Sequence, residues 1–104
     1  MNKFYETLKQ IEENPGLYIG KPSQLRLHQF IIGYFACVSQ HDLENETRWF
    51  DAFMPFVQEK YEDMYRAHWD TLIKLNSESD SDGYYKFFEL FNEFVGTIDA
   101  SKLM

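Results

Sequence analysis

The stretch Gly16–Ser23, GLYIGKPS, puts two glycines and a lysine ahead of a helical pattern. A phosphate-binding loop has that character: glycines let backbone N–H groups close on phosphate oxygens, and a lysine adds charge. The chemistry fails on its details. Gly16 and Gly20 are too close together, Pro22 lacks the N–H that a donor position needs, and the preceding segment is helical and not a strand. Gly16 and Gly20 therefore act as turn residues, with Leu17, Tyr18 and Ile19 expected to pin the turn to the core.

Other reactive side chains fare no better. Cys37 and His41 stand four apart, a spacing that places two metal ligands on one helix face. Cys37, however, belongs to the apolar run Phe30–Val38, where a free cysteine acts as a small hydrophobe. No motif ties either residue to His28 or His68. Ser39, His41 and Asp42 are neighbours in sequence, but a catalytic triad is assembled by geometry, not adjacency. His68 beside Trp69 reads as a packing residue. We expect no enzyme, no cofactor and no metal.

The elements that position these residues are helical. Phe4, Leu8 and Ile11 recur at helical spacing behind Asn2 as N-cap, and Asn14 before Pro15 stops that helix. Ser23 opens a second helix, to Ser39 or Gln40, that is apolar on most sides and so expected at the centre of a bundle. Gly33 inside it predicts a close neighbour. A third helix is expected from about Glu46 to Glu62, with Pro55 either kinking it or delaying its regular part to about Met54. Residues 65–77 form a short helix or an extended segment around Trp69. SESDSDG, residues 77–83, reads as a solvated turn. The stripe Tyr84, Phe87, Phe88, Phe91, Phe94 and Val95 predicts a last helix capped by Ser81 or Asp82 and ended by Gly96, before a fraying tail. The fold class is all-α: one domain over residues 1–104, a small bundle of four to five helices. Pro15, Tyr18, Gly20, Gly33, Tyr34, Trp69 and Phe88 are its expected turn and core residues.

Charge narrows the partners. The chain has 104 residues and a net charge of −7. Residues 1–40 hold three acids against four bases, whereas residues 41–104 hold fourteen acids against six bases. Such a field repels nucleic acid and anionic membrane and speeds encounter with a basic partner. The ten Lys and Arg are scattered, with no cluster to follow a phosphate backbone. The one cysteine rules out an internal disulfide and, with no apolar signal core at the N-terminus, points to the cytoplasm. Candidate contacts for a basic protein are Asp42, Glu44 and Glu46, then Glu59, Glu62 and Asp63, then Glu78, Asp80 and Asp82. The competing class is a regulatory or scaffold module, binding a protein or a small apolar ligand in an aromatic groove around Tyr34, Trp69 and Phe88.

Two resemblances bear on this. PGLYIG is similar to the PGMYIG stretch of type II topoisomerase ATPase subunits, but only over those residues and without that family's glycine-rich lid. More of the chain resembles a family of small helical bacterial immunity proteins of polymorphic toxin and contact-dependent growth inhibition systems. Pro15, Tyr18, Ile19 and Gly20 match its turn; Ser23 and Leu27 match its helix start; Phe30, Gly33 and Tyr34 match its helix centre. FMPFVQEKY, HWDTLIKLNS and YKFFELFNEF look like its later segments. Asn14 stands where the family has Arg, and Leu17 where it has Met. The resemblance implies an antidote that binds one cognate toxin domain, often a nuclease, and blocks it.

Overall fold

A computed structural model describes residues 1–104. Six α-helices and three short 3₁₀ turns make an all-helical fold, more helices than the four to five expected from sequence. The extra helix is α2 (Pro15–Tyr18), one turn built on Pro15 at its first position, where the missing N–H costs nothing. Before it, α1 (Lys3–Glu13) starts at Asn2, whose side chain accepts from the Tyr5 amide at 3.0 Å. Its face of Phe4, Leu8 and Ile11 is completely buried.

Helix α3 (Gln24–Gln40) begins at Ser23, whose hydroxyl accepts from the Arg26 amide at 3.1 Å. It is not wrapped on all sides. Leu27, Ile31 and Val38 face the core, while Leu25 and Ile32 are more than half exposed. The expectation of a fully enclosed central helix fails because α5 and α6 cover only one face. Gly33 lies on the open side with nothing near the place of a β-carbon, so no close neighbour explains it.

A 3₁₀ turn, Arg48–Ala52, occupies the first half of the expected third helix, and another, Glu44–Glu46, leads into it. The α-helical part, α4 (Phe53–Lys60), starts late. Pro55 thus falls in its first turn, where an amide has no helical acceptor to lose. Helix α5 (Trp69–Leu75) follows, capped by His68. Helix α6 (Asp80–Val95) is capped by Ser79 and ends at Gly96. The cap lies earlier than Ser81 or Asp82, and half of the expected solvated turn is the first helical turn instead. The tail, expected to fray, carries a regular turn and a bond to the other terminus. Residues Ala100–Leu103 form a 3₁₀ turn, and the Leu103 carbonyl accepts from the Asn2 amide at 2.7 Å, joining the two ends.

Nineteen buried residues form one core cluster. Phe53 is fully buried at its middle, with the rings of Phe50, Trp69, Phe87 and Phe94 between 5.0 and 5.5 Å away. Phe50 stacks on Phe53 and the other three rings meet it edge-on, arrangements that suit the ring quadrupoles. Trp69 and Phe88 are core residues, and Tyr34 is half-buried against Phe4. No helix is long and apolar enough to cross a membrane.

Candidate functional site

The turn that resembled a ligand loop is closed by its own chain. Gly20 adopts φ +87°, a left-handed angle that favours glycine. The Arg26 guanidinium folds over it, 2.5 Å from where a β-carbon would stand, and donates to the Ile19 carbonyl at 3.1 Å. Ile19 is buried, but Leu17 and Tyr18 are exposed, contrary to expectation. One helical turn cannot direct three consecutive side chains inward. The Tyr18 hydroxyl instead donates to Gln10 Oε1 at 2.6 Å on the surface.

Cys37 is also exposed, because its direction on α3 is the uncovered one; its apolar neighbours in sequence do not make it a core residue. His41 is exposed at the end of that helix. The aromatic groove expected around Tyr34, Trp69 and Phe88 is filled, since Trp69 and Phe88 pack inside the core.

The nine acidic candidates divide by what their carboxylates do. Asp80 reaches across to the start of α3: the Ser23 hydroxyl donates to it at 2.5 Å and the Leu25 amide at 2.9 Å. Burial pushes this carboxyl up, but those donors and Lys21 outweigh it and hold the pKa below the usual range. Asp82 accepts from the Glu78 amide at 2.9 Å and pairs with Lys86 at 3.3 Å, which holds it low too. Asp63 accepts from the amides of Tyr65 and Ala67 at 3.3 and 2.7 Å. Glu46 takes a long 3.5 Å contact from Asn2. These four have internal work. Asp42, Glu44, Glu59, Glu62 and Glu78 are exposed, and their carboxylates have no partner within the chain.

Three surface grooves gather acids. One, of about 540 Å³ where α3 meets the ends of α5 and α6, holds Asp70, Glu78 and Asp80 with Gln24 and Lys74. A second, of about 280 Å³, holds Glu44 and Asp51 beside Arg48. A third, of about 530 Å³ between α4 and α6, holds Glu59, Glu62 and Glu93 around half-buried Phe56. Lys60 in that groove pairs with Glu93. Asp51, Asp70 and Glu93 were absent from the sequence-derived set. Each lies outside a charge run, and only tertiary packing brings it beside another acid.

Under the first groove lies a polar cluster that sequence reasoning missed. His28 Nδ1 stands 3.3 Å from Asp70 Oδ2, and buried Gln24 donates to the Asp70 carbonyl and carboxylate at 2.8 and 2.9 Å. His68 Nδ1 accepts from the Asp70 amide at 3.1 Å, a bond that requires a neutral ring. Burial pushes the His68 pKa down, and neighbouring His28 adds to that against the pull of Asp70. The arrangement caps α5 and orients Asp70; its rings and carboxylate are engaged with one another.

No protein-family model, curated protein or solved structure matches the chain. The geometry therefore stands on its own physical terms. What it can do chemically is offer unneutralised carboxylates at a rigid, aromatic-cored surface.

Proposed function

We propose that this chain is a cytoplasmic immunity protein, which binds one cognate bacterial toxin domain and neutralises it without catalysis. The observation that carries the reading is the charge distribution: fourteen acids against six bases after residue 40, with five of the nine candidate carboxylates free of internal partners. The sequence resemblance to immunity proteins supports the same conclusion. A nuclease toxin needs a basic cleft for its phosphate substrate, and exposed carboxylates complement such a cleft. Long-range attraction of this kind raises association rates and weakens as salt screens it.

The test is co-expression. Cells producing the toxin domain encoded beside this chain should survive when the chain is present and die when it is absent. Equal killing in both cases overturns the proposal. A second check is kinetic: the association rate of the purified pair should fall at least tenfold between low and high salt, as steered encounters do.

A further inference from the structure

The two most exposed large apolar side chains of the protein are neighbours. Tyr65 is 93% exposed and Met64 is 89% exposed, at the tip of the connection between α4 and α5. The only other exposed aromatic rings are Tyr18 and Tyr85, at 41% and 59%, and neither stands beside a second apolar side chain as open as Met64.

The connection that carries them is firmly held. The Asp63 amide donates to the Gln58 carbonyl at 2.9 Å, and the Asp63 carboxylate accepts from the amides on either side of Arg66. Gln58 Nε2 donates to the Ala67 carbonyl at 3.0 Å, and the Trp69 amide is 3.2 Å from Met54 Sδ. Glu62 and Arg66 bracket the tip at φ +52° and +57°, left-handed angles that cost free energy in residues with a β-carbon. The chain accepts two such residues in five and fixes them with side-chain bonds. The result is a short, preorganised projection, which loses little conformational entropy on docking.

Its surroundings define what it fits. Glu62 belongs both to this connection and to the groove of Phe56, Glu59 and Glu93, where Lys60 neutralises Glu93 and leaves Glu59 and Glu62 unpaired. We infer that the Met64–Tyr65 tip is the anchor for the partner: it enters an apolar pocket on the partner's surface while Glu59 and Glu62 receive lysine or arginine at the pocket's rim. This rests on the toxin-binding reading and names its contact residues. Rigid aromatic anchors dominate the lifetimes of protein complexes, and rim charges act on encounter.

The probe is the purified toxin domain encoded beside this chain, inactivated at its own catalytic centre. Tyr65→Ala and Met64→Ala should each weaken binding, Tyr65→Ala by at least tenfold and mainly through faster dissociation, with melting temperatures within about a degree of wild type. Glu59→Gln with Glu62→Gln should slow association and flatten its salt dependence. Leu17→Ala, a change at another exposed apolar residue, 76% open, should bind as wild type does. Wild-type affinity in Tyr65→Ala overturns the anchor and leaves the toxin reading intact. Failure of the wild-type chain to bind overturns both.

Discussion

The Tyr84 hydroxyl, on α6, donates at 2.9 Å to the Ile11 carbonyl on α1. Ile11 would ordinarily receive the amide four residues on, but that residue is Pro15, which has none. A buried phenol thus fills the vacancy that the proline creates, and ties the last helix to the end of the first.

Tyr84→Phe keeps the ring and removes only this donor. An unsatisfied buried carbonyl costs about 1–3 kcal/mol, so the variant should lose roughly that much in urea unfolding. Burial also pushes the Tyr84 pKa from 10.0 to about 12. A raised pKa gives stability that is complete below the unfolded value and lost as pH rises through the folded one. Wild-type stability should therefore decline between pH 10 and 12, and Tyr84→Phe should decline less. Parallel curves would remove Tyr84 as the source.

A second close relationship joins α3 to α6. The side-chain oxygen of Gln24 lies 1.9 Å from where a β-carbon on Gly83 would stand, with Gln24 Cδ at 2.9 Å and Cβ at 3.1 Å. Alanine at 83 would favour the helix by about 1 kcal/mol on propensity alone. Here the Gln24 amide would have to swing away, giving up both bonds to Asp70. We expect Gly83→Ala to destabilise by about 1–2 kcal/mol, since overpacking costs about 1–3 kcal/mol. In a double-mutant cycle, Gln24→Ala should cancel most of that penalty. Additive losses would show that the two positions do not couple.

The turn after α2 offers a contrast between neighbours. Ile19 is buried and Tyr18 is 41% exposed, with its ring edge-on to Phe30. Ile19→Ala should cost about 2–4 kcal/mol, and Tyr18→Ala less than about 1 kcal/mol. Melting curves of the two variants decide it; equal shifts would contradict this packing.

His68 supplies an acid-side signature. Its pKa lies below the usual 6.5 because burial disfavours the charged ring. The unfolded chain takes up that proton first as pH falls, so stability should drop below pH 6.5 and level off under the folded pKa. His68→Asn keeps a side-chain cap for α5 and cannot titrate in this range. It should flatten stability across that interval, measured by urea unfolding at a series of pH values. An unchanged slope would show that another group is responsible.

Much of the fold was legible because local rules agreed with tertiary ones. Asn2 and Ser23 are caps where their side chains suit a helix start, and Gly96 ends α6 as its position suggests. The departures have particular causes. Pro55 could not by itself say whether it kinked a helix or began one, because the 3₁₀ segment before it depends on Trp49 and Phe50 reaching the core. Ser79 displaced Ser81 as cap because Asp80 was drawn into the first turn by Ser23 and Leu25, over fifty residues away in sequence. The candidate site was legible as charge and not as a surface. The sequence supplied the acids, but their division into engaged and free carboxylates needed the partners in place.

The sequence by itself determined an all-helical chain with a strongly acidic second part, since helical periodicity and net charge are properties of residue order and type. Only the tertiary structure decided which face of α3 stayed open, which carboxylates remained unpaired, and that Met64 and Tyr65 would stand in solvent. Those outcomes depend on which distant side chains arrive at the same place. A short-range pattern carries no record of that.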